Sequence, residues 1–158
     1  MPTTPDPAFA GHTYPAGPVH TISAAKIAEF ARATGASSAL HTDPESARRA
    51  GHADVIAPPT FLVSLAQATE AQYIEDPAAG IDFSRVVHGE ETFTLHRAVV
   101  AGDRLVPTLT VESVRAAGGH SMITTRVDLA DESGAEVAAV RSMLVVRGDK
   151  SDRSHVVL

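Results

Sequence analysis

The sequence predicts an α+β domain in which an antiparallel sheet wraps one buried helix and the unit dimerises. Two observations carry this. Apolar residues recur at helical spacing until about Tyr73, and beyond Asp76-Pro77 they recur at every second position to the end of the chain. A third sets the scale: 158 residues with 44% apolar content suffice for one continuous core.

The elements follow in order. Residues 1–10, rich in Pro and Thr, are expected to be a flexible N-terminus, followed by a strand near His12 to His20. Ser23 is placed to cap a helix over 23–34, because Ile27, Phe30, Ala31 and Thr34 share one face and Gly35 supplies a stop. Residues 35–57 have turn composition with a short helix around Glu45 to Ala50; an irregular excursion of this length is often functional. Pro58 and Pro59 suit the first turn of a helix, where a missing N–H costs little. Leu62, Leu65, Thr69 and Tyr73 continue on one face, and Phe61, Val63, Ala66 and Ala68 widen the apolar surface. A helix over 59–73 that is apolar on more than one stripe is the candidate for the buried one.

Four strands are then predicted as a meander. Phe93 and Leu95 alternate with Thr92, Thr94 and His96; Leu105, Leu109 and Val111 with Thr108, Thr110 and Glu112; Ile123 to Leu129 follow, then Val137 to Val146. Gly102-Asp103, Gly118-Gly119 and Asp131 to Gly134 mark the turns. Residues 11–147 form the domain, and 148–158 are expected to be a loose tail. One helix cannot cover both a sheet face and its edges, which is why dimerisation is expected.

Composition excludes several classes of function. A formal charge of −6 with scattered Lys and Arg disfavours nucleic acid, and 4% aromatic residues without Trp offer little for base stacking. No apolar run is long enough for a signal peptide or a membrane span, so a cytoplasmic protein without membrane association is expected. The absence of cysteine fits a reducing compartment. Eight histidines raise the question of a metal, but none shows the i, i+4 spacing of a zinc site on one helix, so no metal and no cofactor are expected.

Three stretches carry a resemblance. They are Gly51-His-Ala-Asp-Val-Ile-Ala-Pro-Pro-Thr-Phe61, Val87-His-Gly-Glu90, and His96-Arg97 followed by Val100-Ala-Gly-Asp-Arg-Leu105. In that order and spacing the chain resembles the MaoC-like hotdog dehydratases, most closely the HadA-type subunit of (3R)-hydroxyacyl-ACP dehydratases. The resemblance implies a hotdog fold, with two such domains side by side and an acyl chain on phosphopantetheine entering between them.

Catalytic members carry Asp and His in a stretch like Gly-Asp-x-Asn-Pro-x-His. Dehydration of a 3-hydroxyacyl thioester needs a base for the carbon-bound proton, an acid for the leaving hydroxyl, and a donor for the enolate-like oxygen. The family takes the last from the backbone N–H of a Gly at the start of the buried helix. Here the stretch reads Gly35-Ala-Ser-Ser-Ala-Leu-His41, so His41 is retained while Ala36 stands at the acid position. Pro58-Pro59 replaces the His-Gly pair, and Pro59 has no N–H. Both losses point to a substrate-holding subunit that pairs with a HadB-like subunit carrying the complete site, with low activity expected alone.

His41 is the candidate catalytic residue, against the plainer reading of a turn histidine. Pro59, Thr60, Phe61 and Ser64 on the helix start, with His88 and Gly89 on a strand, are the candidate substrate-binding residues. His88 and His96, at the two ends of that strand, are expected on the same side, with a channel-lining role weighed against ordinary strand packing. Glu90 and Glu91, adjacent on a strand, point to opposite faces and do not form a paired-carboxylate site. The substrate is expected on ACP phosphopantetheine or CoA. Two alternatives are a homodimeric dehydratase, hydratase or specialised-metabolism enzyme using His41, and a non-catalytic module that binds acyl carriers.

Overall fold

The computed structural model describes residues 4–148. Helix α1 spans Ala24–Thr34 and is bounded as its residues dictate. The Ser23 side chain accepts a hydrogen bond from the Lys26 N–H at 3.1 Å, and Gly35 ends the helix with φ 73°, a left-handed geometry that only glycine adopts without penalty. Its buried residues are Ile27 and Ala31. Helix α2, Pro44–Arg49, starts on an Asp43 cap with Pro44 in the first turn.

The predicted buried helix has two parts: a 3₁₀ turn over Pro59–Leu62, then helix α3 over Val63–Ile74. The two prolines explain the tight first turn, since neither supplies an N–H to the α ladder and Phe61 N–H reaches back to the Pro58 carbonyl at 2.9 Å. Leu62, Ala66 and Tyr73 are fully buried, as expected. Glu70, between Ala66 and Tyr73 on that stripe, is buried with them.

Five strands form one antiparallel sheet: β1 His20–Thr21, β2 Val86–Leu95, β3 Arg104–Ala117, β4 His120–Asp131 and β5 Glu136–Val146. Their order is β1-β3-β4-β5-β2. The expected four-strand meander is therefore corrected. Only β3, β4 and β5 are sequential neighbours; β2 crosses to the far side and pairs with β5, with Phe93 opposite Val140. The β3–β4 hairpin closes on Gly118-Gly119, both at positive φ, which matches the twist of the flanking strands. Inward residues alternate along β4 and β5, with Ile123, Val127, Leu129, Val140 and Leu144 buried in the same core cluster as Leu62, Ala66 and Tyr73 of the core helix.

Two further expectations change. The strand near His12 to His20 is reduced to the two residues of β1, a bridge between Thr13 and Thr110, and scattered backbone bonds along β3. Residues 4–10, expected to be flexible, are tied down: Asp6 N–H donates to the Ala79 carbonyl at 2.9 Å, and the Phe9 ring lies 5.6 Å from that of Tyr73. Of the expected loose tail only Gly148 falls within the described residues; its N–H donates to His120 Nδ1 at 3.0 Å. Among the described residues no helix is long and apolar enough to cross a membrane.

Candidate functional site

His41 closes a short 3₁₀ turn, Ala39–His41, that follows α1, and it is pinned from two directions. The Leu40 carbonyl accepts from the Ile56 N–H at 2.9 Å, and His41 Nδ1 lies 2.7 Å from the Ile56 carbonyl. A carbonyl only accepts, so Nδ1 carries a proton, and the tautomer this selects presents Nε2 as the nitrogen able to act as a base. Ile56 is itself bridged to Val100, and Ala57 N–H donates to the Val99 carbonyl at 2.8 Å. The segment that orients His41 thus runs straight into Pro58-Pro59 and the start of the core helix.

Among the described residues no carboxylate orients this histidine. Position 36 is Ala, whose N–H is spent on the Ala31 carbonyl at 2.9 Å. The carboxylate nearest in sequence, Asp43, caps α2 by accepting from Glu45 N–H at 3.1 Å and Ser46 Oγ at 2.6 Å. The Ser46 bond first, then those backbone contacts, hold its carboxyl below the ordinary range. Asp43 is therefore an anion with its acceptors occupied, not an acid aimed at a substrate.

The structure divides the candidate substrate-binding residues. Pro59, Thr60 and Ser64 are exposed on the first turns of the core helix, and Ser64 Oγ donates to the Phe61 carbonyl at 2.9 Å. Phe61 is buried, its ring edge-on to Phe30 at 5.5 Å, so it supports this surface from beneath. His88 and Gly89 lie elsewhere. His88 lines a cleft of about 360 Å³ with Gln67, Glu70, Ala71, Ile74 and Phe83, on the later turns of α3. Gly89 is the site of a bulge between His88 and Glu90; a Cβ there would come within 2.8 Å of Met143 Cε. That bulge overturns the expectation that His88 and His96 share a side. His88 pairs with inward-facing Leu144, whereas beyond the bulge it is the odd-numbered residues Glu91, Phe93 and Leu95 that face inward.

Glu91 is the most consequential of these. Its Oε1 accepts from buried Ser142 Oγ at 2.9 Å, and its Oε2 is buried without a hydrogen-bond partner. Glu70 repeats the pattern from α3: Oε1 accepts from buried Thr125 Oγ1 at 3.0 Å, and Oε2, like that of Glu91, has no partner among the described residues. Burial raises the Glu91 carboxyl, the Ser142 bond opposes this, the Glu70 charge raises it further, and His88 draws it back. The prediction that Glu90 and Glu91 point apart is met, but the acid that Glu91 faces is Glu70. Its signal was in the sequence: Ala66, Glu70 and Tyr73 follow i, i+4, i+7, which puts an acid on the apolar stripe.

This geometry has a pH consequence. The folded chain holds the Glu91 proton to a higher pH than the unfolded chain does. Stability from this group is therefore present below the ordinary value of 4.5 and is lost as pH rises through the raised folded value. Glu91→Gln cannot ionise, so its stability relative to the parent chain should grow from about pH 4 to about pH 7. Urea denaturation at both pH values reads this; a constant difference would refute it.

Among the described residues no three His, Cys, Asp or Glu side chains are grouped to hold a metal ion. Residues 8–140 match the family described as FAS1-like, dehydratase domain region. The UPF0336 protein of Clavibacter michiganensis subsp. michiganensis is 50% identical over 149 residues, covering 94% of this chain and 99% of that one. Among solved structures, a MaoC-like dehydratase superposes with a TM-score of 0.82 at 28% identity over 89% of this chain, which spans only 43% of that longer one. A chain of the HadBC (3R)-hydroxyacyl-ACP dehydratase complex from Mycobacterium tuberculosis matches with a TM-score of 0.79 at 24% identity, covering 87% of this chain and 96% of that one. The fold is the MaoC-like hotdog.

Proposed function

The chain belongs to the FAS1-like dehydratase domain family, and from that membership we propose that it is the substrate-holding subunit of a (3R)-3-hydroxyacyl thioester dehydratase, paired with a catalytic HadB-like hotdog subunit. The observation that carries this reading is half a catalytic site. His41 bonds to the Ile56 carbonyl and, among the described residues, to no carboxylate, and the helix start carries prolines at the positions that the resemblance gives to the oxyanion donor.

Dehydration removes a proton from the carbon next to the thioester and expels the neighbouring hydroxyl as water. On this reading the partner supplies the acid and the oxyanion donor, while Thr60 and Ser64 of this chain border the acyl channel. The thioester rides on ACP phosphopantetheine or CoA, and no cofactor takes part. The hotdog subunits of the HadBC complex support pairing with a second subunit, as does the outer edge of β2, a ten-residue strand that no other described residues pair with on that side. The reading also fits a place in fatty-acid or polyketide-type metabolism.

Co-expression with a hotdog protein carrying the complete Asp-x-Asn-Pro-x-His stretch tests it. The pure chain should turn over 3-hydroxyacyl thioesters negligibly and the recovered complex should be active. Ser64→Phe should impair the complex on long acyl chains more than on short ones. Robust turnover by the chain alone, abolished by His41→Ala, would establish the homodimeric enzyme instead. Equal loss at all chain lengths would leave Ser64 with a structural role only.

A further inference from the structure

The cleft on the later turns of α3 is lined by none of the residues that hold His41. Glu70 stands on the border between two faces of α3. One, with Ala66, Thr69 and Tyr73, packs on the sheet; the other, with Gln67, Ala71 and Ile74, lines the cleft. It is 1% exposed, its Oε1 is bound by Thr125, and its Oε2 has no donor. A carboxyl oxygen withdrawn from water without a hydrogen-bond partner is unfavourable unless something supplies one. Nothing from within the described chain does so. The neighbouring Glu91, with its own unpartnered oxygen, adds negative charge behind Glu70, and Glu75 adds more at the rim.

The surroundings indicate what the donor is attached to. Ala71 and Ile74 give the cleft apolar walls, suited to a methylene stem that carries a charge at its end. Phe83 and Val87, 69% and 48% exposed, stand at the same end of β2, whose outer edge pairs with no other described residues. Exposed apolar side chains beside an open strand edge mark a protein surface. A chain that adds to this edge covers His88 and so the mouth of the cleft.

We propose that this cleft receives an arginine or lysine side chain from the second hotdog subunit, its charge meeting Glu70 and its stem lying along Ala71 and Ile74. The proposal rests on the pairing argued above and adds the feature by which a partner is chosen. Charge complementarity favours a different subunit over a second copy. This chain carries a net −6, and self-pairing would duplicate Glu70, Glu75 and Glu91 at the contact.

The test uses the full chain, labelled with ¹⁵N, and n-butylguanidine as a free mimic of the arginine side chain. Saturable shifts are expected at the Ala71, Ile74 and His88 amides, with none from n-pentanol, which has the stem without the charge. Glu70→Gln keeps the side-chain volume and the Thr125 contact, and should weaken guanidine binding about tenfold or more, the size expected of a hydrogen bond to a charged group. Glu91→Gln should weaken it less. Equal shifts from n-pentanol, or binding unchanged in Glu70→Gln, would overturn the proposal. So would a stable homodimer whose cleft is already closed to guanidine, because the occupant would then be a second copy. Pairing is read separately by recovery of the complex in co-expression, so loss of guanidine binding with pairing intact would reject this site alone.

Discussion

Ala36→Asp alone is expected to leave the purified chain without measurable dehydratase or hydratase turnover, whereas Ala36→Asp combined with Pro59→Gly should show it. The reason lies in which parts of a site are already present. His41 Nε2 is the nitrogen able to act as a base because Nδ1 is held by the Ile56 carbonyl at 2.7 Å. A carboxylate at position 36 would supply the acid, but position 59 would still lack an N–H for the developing oxyanion. One missing oxyanion donor costs about 10² to 10³ in rate, so the double variant should exceed the single by about that factor. Pro59 is exposed in a 3₁₀ turn, and glycine there should lower stability by up to about 1 kcal/mol through a more flexible unfolded chain. Hydration of an enoyl thioester, followed by loss of the conjugated absorbance, reads the order of the two rates. If Ala36→Asp by itself matched the double variant, the oxyanion donor would not be at position 59.

Leu62→Ala should produce the largest loss of stability among these variants. Leu62 is fully buried where the 3₁₀ turn passes into α3, in the same core cluster as Val55, Phe61 and Ala66. Removing its side chain forfeits the transfer free energy of the lost carbons and leaves a cavity that a rigid sheet cannot fill, at a cost of about 2–5 kcal/mol. Ser64→Ala, on the exposed side of the same turn, should stay within about 0.5 kcal/mol. Urea midpoints at constant m-value distinguish the two. A small effect at Leu62 would mean that the helix start repacks freely, and would weaken the case that it holds an acyl channel in shape.

The local elements were legible because each depends on residues close together in the chain. Ser23 and Gly35 bound α1 through their own backbone and side-chain geometry, and Gly118-Gly119 closes the β3–β4 hairpin because both positions need positive φ. The retained His41 and the two prolines were equally readable, since a proline lacks its N–H in any fold. The strand order was not legible, because alternation reports which faces a strand presents and not which strand lies beside it; by alternation alone β2 reads as part of a meander, although it pairs with β5. Nor was the side to which His88 points. One extra residue at Gly89 reverses the alternation along β2, and a bulge shows only in the register with the partner strand.

The sequence alone determined the helix caps, the tight hairpin turn, the apolar stripe of the core helix and the lack of an acid at position 36 and of a backbone N–H at positions 58 and 59, because these are properties of single residues and their near neighbours. Only the tertiary structure decided that Glu70 and Glu91, twenty-one positions apart, share one buried environment. It also decided that Thr125 and Ser142 turn inward to meet them and that His41 takes its tautomer from Ile56. Those contacts join residues far apart in the chain. They form when a helix is laid across a curved sheet, and a carboxylate's protonation and a histidine's free nitrogen are set by whatever that packing brings within hydrogen-bonding distance.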